Sequence, residues 1–211
     1  MIKEFEKRLL SSIIFIPIAI FFIFQGSVFF TFFLSTLFLA TSYEWYKMSK
    51  NNFLKIIGII FLFFSFFAAY IIRNENDFRY FLFIVLICIF TDIGGYTFGK
   101  IFKGPKLTKI SPKKTFSGVL GSFLLSLVFG LIFINYFDYE EIILNTINLS
   151  LLLLILFISF TSQIGDLIIS YFKRKAKLKD TGKIIPGHGG LLDRVDGLIF
   201  VMPIIYFLGK I

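Results

Sequence analysis

Seven nearly uninterrupted apolar stretches set the limits of what this chain can fold into. They run Leu9 to Gln25, Val28 to Tyr43, Leu54 to Ile72, Tyr80 to Phe98, Gly118 to Tyr136, Leu149 to Tyr171 and Leu198 to Leu208. A helix needs roughly 20 mostly apolar residues to cross a bilayer, and inside lipid the backbone must satisfy its own hydrogen bonds. The pattern therefore predicts an all-α, polytopic integral membrane protein with about seven transmembrane helices. Only Gly26 and Ser27 separate the first two stretches, which reads as a helical hairpin with a tight turn. The last stretch is short and contains Pro203. Lys7 and Arg8 precede an apolar run as they would in a signal peptide. No small-residue cleavage site comes after it, and the second span begins at once, so the segment is expected to stay in the mature protein.

Composition agrees with that class and removes others. Apolar residues make up 57% of the 211, charged residues 17%, and 32 positions are Phe, whereas a soluble chain has about 45–50% apolar and about 25% charged residues. This excludes a cytosolic domain, a disordered regulator and a secreted disulfide scaffold. Cys88 is the single cysteine, so neither an intrachain disulfide nor a thiolate zinc cluster can form, and its place in an apolar run suits a small hydrophobe. The net charge of +9 would suggest nucleic acid in a soluble protein; here the positions of the basic residues argue otherwise. When loops alternate across a bilayer, one side receives the N-terminus, Met48 to Phe53 with its flanks Lys47 and Lys55, Gly99 to Ser117 and Phe172 to Arg194, which together hold 19 of the 22 Lys and Arg. The positive-inside rule makes that side, with its two long basic loops, cytoplasmic. No repeat or linker interrupts residues 1–211, so a single transmembrane domain is expected.

Two acids stand where lipid should be. Asp92 and Asp166 each sit in an apolar stretch, at an insertion cost on the order of 2.5–3.5 kcal/mol per carboxylate. Either could instead lie solvated at headgroup level. The residues on the C-terminal side of Asp166 favour function: Asp166, Ser170 and Lys173 share one helical stripe, with Arg174 beside them. Asp193 and Asp196 are three residues apart and can point the same way on a helix. Between lies Pro186-Gly187-His188-Gly189-Gly190, whose glycines would let backbone N–H groups approach an anion. Acids at the bilayer boundary with lysines above them suggest a divalent metal and phosphate, since Mg²⁺ is held by one or two carboxylates plus phosphate oxygens. In the other long loop, Lys100, Lys103, Lys106 and Lys109 fit headgroup anchoring, while Lys113-Lys114-Thr115 abuts the next span and offers a phosphate seat. His188, the sole histidine, either ties its turn or touches substrate.

The run Ser170-x-x-Lys173-Arg174-x-x-x-x-Lys179-Asp180-x-Gly182-x-x-x-Pro186-x-His188-Gly189-Gly190-x-x-Asp193-Arg194-x-Asp196 resembles the signature of phosphatidate cytidylyltransferases, also called CDP-diacylglycerol synthases. Weaker resemblances lie in Lys7-Arg8 through Glu44-Trp45, in Asp92 to Gly99 and in Ser111-Pro112-Lys113-Lys114-Thr115, so the likeness covers essentially the whole chain. Three positions depart from the family, which usually has acids where Ile169, Lys175 and Ser117 stand here, and the chain is short for it. The resemblance implies N-terminal spans over 9–98 and a catalytic half over 99–211 carrying the signature at 170–196. It implies that CTP and phosphatidic acid react at a bacterial inner membrane, with Mg²⁺ and a possible second cation. Asp166 and Asp193 would hold Mg²⁺, with Asp196 a further ligand and Asp92 completing a second site. Lys173, Arg174, Lys179 and Arg194 would bind triphosphate or pyrophosphate; Lys113, Lys114 and Thr115 would meet nucleotide or lipid phosphate; Ser170, Asp180 and His188 would line the substrate site, with Gly189 and Gly190 cradling phosphate.

The chemistry suits these residues. A phosphate monoester is ionised at neutral pH, its second pKa being about 6, so it attacks without a general base. Positioning and charge neutralisation are what the protein must supply. A CTP-dependent polyprenol or dolichol kinase is the near alternative; its alcohol substrate needs a base, which would make His188 or a free Asp essential. A CDP-alcohol phosphotransferase lacks support because the Asp-Gly-x-x-Ala-Arg start is missing. A secondary transporter for an anionic solute would show paired breaks in two halves, and here acids and breaks crowd the second half. A non-catalytic scaffold leaves the charged motif without a role. Membrane lipids are expected partners, nucleic acid is not, and a homodimer stays open.

Overall fold

In the computed structural model the described residues are 17–108, 110–137, 149–184 and 189–209. Residues 9–16 of the first apolar stretch, Lys109, and the Pro186–His188 part of the signature lie outside them. Residues 17–25 are helical. They are followed by α1 (Ser27–Met48), α2 (Asn52–Glu75), α3 (Phe78–Phe102), α4 (Phe116–Tyr136), α5 (Leu149–Lys175), the short α6 (Leu192–Val195) and α7 (Leu198–Leu208). Among the described residues there is no strand, only an isolated bridge between Lys106 and Thr115.

Helix boundaries follow local chemistry. Asn51 and Asp77 cap α2 and α3 by accepting the N–H groups of Phe53 and Arg79, and Thr115 caps α4 by accepting that of Gly118 at 3.1 Å. Before α1 the chain doubles back. Gly26 takes φ 64° and Ser27 φ 44°, and the rings of Phe22 and Phe33 stack with centroids 5.0 Å apart. A continuous helix would separate those residues by about 16 Å.

Five helices, α1 to α5, are long and apolar enough to cross a membrane, and they define an integral membrane protein. The seventh predicted span is shorter than a crossing requires. α7 has 11 residues, about 16 Å at 1.5 Å per residue. Its Pro203 lacks the N–H that would pair with the Ile199 carbonyl, and the Ser65 hydroxyl of α2 donates to that carbonyl at 2.7 Å. A hydroxyl from one helix thereby repairs another.

Polarity is inverted relative to a soluble protein. Phe116, Leu120, Leu124, Val128, Ile132 and Tyr136 recur every fourth residue on α4, and all are exposed. The core holds Phe30, Phe83, Ile87, Ile155 and Ile158, with Cys88 among them as a small hydrophobe. Ser122, Ser126, Ser159 and Ser162 are also buried. Small residues let helices approach closely in membranes, most clearly where α3 crosses α4. A Cβ on Gly94 would stand 2.4 Å from the Gly121 carbonyl oxygen, and one on Gly121 would stand 2.3 Å from the Phe98 Cβ. Gly121→Ala is therefore expected to destabilise by about 1–3 kcal/mol through overpacking, read as a lower melting temperature in detergent. Leu120→Ala, on the exposed face, should leave it nearly unchanged.

Candidate active site

The site grows from three stretches far apart in sequence. α5 runs unbroken through the first acid and the basic end of its stripe. The Ser170 hydroxyl donates to Asp166 Oδ1 at 3.2 Å, as the one-turn spacing requires. Lys114, from the hairpin-like turn before α4, reaches the other oxygen of that carboxylate: its Nζ lies 2.6 Å from Asp166 Oδ2. The turn that aims it is fixed by the Leu107 N–H donating to the Lys114 carbonyl at 2.8 Å and by the Lys114 N–H donating to the Ser111 carbonyl at 3.0 Å.

A second carboxylate–ammonium pair stands on the same face. Lys173 Nζ is 2.7 Å from Asp193 Oδ1, with both side chains a tenth exposed or less. Asp193 Oδ2 accepts the Thr181 N–H at 2.8 Å and the Gly190 N–H at 3.1 Å, with the Thr181 hydroxyl at 3.1 Å. Asp193 thus ties α5 to both flanks of the signature loop. Asp196 is buried and accepts the Gly197 N–H at 2.9 Å. Burial pushes its carboxyl well above the usual range, and the nearby charges of Asp166 and Asp92 push the same way. Asp92, Asp166 and Asp193 thus lie near enough to act on Asp196, so four carboxyl groups share this corner with Lys114 and Lys173.

Other expected residues take no part in these two ion pairs. Arg174, Lys179 and Asp180 are exposed, and Arg174 donates to the Leu178 carbonyl at 2.8 Å. Lys113 is exposed, unlike its neighbour Lys114. Thr115 serves as the α4 cap. The Gly190 N–H, expected at phosphate, is committed to Asp193, while Gly189 takes φ 89° beside Asp180. His188 lies outside the described residues. Of the departures, Ile169 is buried in an apolar cluster with Trp45 and Leu192, and Ser117 donates to the Lys103 carbonyl.

Sequence reasoning assigned no role to Glu44, which is 2% exposed. Its carboxylate accepts the N–H groups of Leu191 and Leu192 and the Thr181 hydroxyl. The available signal was an acid directly after the apolar second stretch.

No group of three or more His, Cys, Asp or Glu side chains among the described residues forms a ready metal cage. The donor set still fits Mg²⁺, which takes oxygen ligands and needs one or two carboxylates when phosphates and water supply the rest. Beside the acids an apolar cavity of about 640 Å³ opens between residues 17–25, α1, α2, α3 and α7. Asp92, Asp193 and Arg194 are the charged residues in its lining, and Asp92, though within a helix, is exposed there.

Fold and site define an α-helical integral membrane protein with paired acids and lysines beside an apolar chamber. Residues 50–211 match the Cytidylyltransferase family, and the chain belongs to it. It is 38% identical over 180 residues to a phosphatidate cytidylyltransferase of Rickettsia bellii, covering 78% of this chain and 73% of that protein. It is equally identical to proteins of the same name from Staphylococcus saprophyticus, covering 76% of this chain and 62% of the relative, and from Staphylococcus epidermidis, covering 81% and 65%. The chain therefore spans roughly two thirds of the length of these relatives.

Proposed function

We propose that this protein transfers the cytidylyl group of CTP to phosphatidic acid, giving CDP-diacylglycerol and pyrophosphate. The observation that carries this reading is the pair of contacts Asp166–Lys114 and Asp193–Lys173, gathered beside an apolar cavity. Charged groups suit phosphates, and the cavity suits an acyl chain. At about 640 Å³, the cavity is large enough to take an acyl chain.

An ionised oxygen of the lipid phosphate attacks the α-phosphorus of CTP. A new oxygen–phosphorus bond forms, the bond from that phosphorus to the β-bridging oxygen breaks, and pyrophosphate leaves with the electron pair. Lys114 and Lys173, paired with carboxylates, would turn their ammonium groups to the phosphates and offset the repulsion between the two polyanions. Arg194, which lines the cavity, would meet the lipid phosphate. Mg²⁺ would be held by Asp166 and Asp193, with Asp196 and Asp92 as further carboxylates, and would supply charge neutralisation at the phosphate oxygens. The distribution of Lys and Arg supports a site on the cytoplasmic face of a bacterial inner membrane.

Purified protein incubated with Mg²⁺, phosphatidic acid and CTP labelled in its cytidine should carry label into the organic phase. A kinase transfers phosphate and leaves the cytidine in water. Absence of organic-phase cytidine, or phosphate transfer to a polyprenol instead, would overturn the assignment.

A further inference from the structure

Glu44 has no part in the chemistry of transfer, yet it is held more elaborately than any space-filling residue requires. It lies four residues before the end of α1. Its Oε1 accepts the Leu191 N–H at 3.0 Å, and its Oε2 accepts the Leu192 N–H at 2.8 Å and the Thr181 hydroxyl at 3.0 Å. Those donors flank the signature loop on both sides, 137 to 148 residues further along the chain. The loop is shaped for this carboxylate. A Cβ on Gly182 would stand 2.2 Å from Oε1, and one on Gly190 would stand 2.6 Å from Oε2.

The support behind Glu44 is rigid. Trp45 donates from Nε1 to the Leu54 carbonyl at 3.0 Å. Its indole packs so tightly on α2 that a Cβ on Gly58 would come within 1.8 Å of it. Its ring meets Phe172 of α5 edge-on at 5.0 Å. α1 is thus fixed to α2 and to the helix carrying Asp166 and Lys173. Thr181 joins the two acids: its hydroxyl lies 3.0 Å from Glu44 Oε2 and 3.1 Å from Asp193 Oδ2, while its N–H donates to Asp193. Burying a carboxylate is costly unless donors meet it, and this one is met by donors from the two flanks of the loop.

We infer that Glu44 is a positioning residue for cytidylyl transfer. It clamps both flanks of residues 181–192 and so sets Asp193 against Lys173. The inference rests on the activity proposed for this site. Glu44→Gln keeps the size of the side chain but turns one acceptor oxygen into an NH₂ group facing a donor, and Glu44→Ala removes both acceptors. The expected result is a fall in kcat of about tenfold or more for Glu44→Gln, a larger fall for Glu44→Ala, and a lipid KM within about twofold of wild type. Trypsin should also cleave faster at Lys183, which is exposed within the clamped segment, and at the exposed Lys177 and Lys179 just before it. If Glu44→Ala does not fold, Glu44→Gln decides alone. Unchanged kcat with a lowered melting temperature would make Glu44 a folding residue only and overturn the inference, as would an unaltered rate of tryptic cleavage. A wild-type protein that transfers no cytidine sinks the activity assignment, and the tryptic comparison still decides whether Glu44 clamps the loop.

Discussion

Asp193→Asn is expected to abolish cytidylyl transfer while leaving the protein inserted in the membrane. The side chain is nearly buried, with Lys173 on one oxygen and two backbone N–H groups with a hydroxyl around the other. An amide cannot serve both sides. With its oxygen toward Thr181 and Gly190, its NH₂ faces an ammonium; turned over, its NH₂ faces donors. Breaking a buried pair by removing one charge costs about 3–5 kcal/mol, which corresponds to roughly 10²–10³-fold or more in rate if the transition state bears it. The measurement is organic-phase cytidine label per inserted protein. Lys47→Ala provides the contrast, because that ammonium sits 4.8 Å from the Tyr43 ring, away from the acids, and a change under about twofold is expected. Near-normal turnover in Asp193→Asn would remove this carboxylate from the reaction.

How much the sequence revealed depends on the range of the forces involved. Apolar run length located the five long helices because insertion depends on local hydrophobicity. At Leu198 to Leu208 it marked an apolar helix of 11 residues that packs against α2 and α5, short of the roughly 20 residues of a usual span. The Asp166–Ser170 contact was legible because both ends lie one turn apart on a single helix. The Lys173–Asp193 pair was not, since the Gly- and Pro-containing sequence between its members has no periodicity. Glu44 lay further out of reach: its partners are more than 130 residues away, and no short-range pattern connects an acid at the end of the second stretch to the glycines of the signature. Those glycines read as room for phosphate. At Gly182 and Gly190 the room is taken by the Glu44 carboxylate and the Thr181 hydroxyl. The motif was visible, but the reason for its glycines required the fold.

Lys113 and Lys114 could not be told apart in sequence, and their predicted phenotypes are far apart. Both carry the same charge at nearly the same distance from α4. Neighbouring residues in a tight turn point to different sides, however, and only Lys114 turns inward, with its ammonium 2.6 Å from Asp166 Oδ2 and 3.5 Å from the Gln163 carbonyl. Lys114→Ala leaves Asp166 without that counter-charge beside the acids Asp92 and Asp196, and it removes an ammonium from the proposed phosphate site. Loss of a single electrostatic donor at a transition state costs about 10²–10³-fold in kcat, and a loss of about that size is expected, with Lys114→Arg restoring part of it because charge is kept while the fork alters geometry. Lys113→Ala removes an exposed charge and should lower kcat by less than about threefold, with salt mimicking the effect by screening. Equal losses at the two positions would mean that the loop acts through its total charge, as an anchor to anionic headgroups, and would take Lys114 out of the reaction.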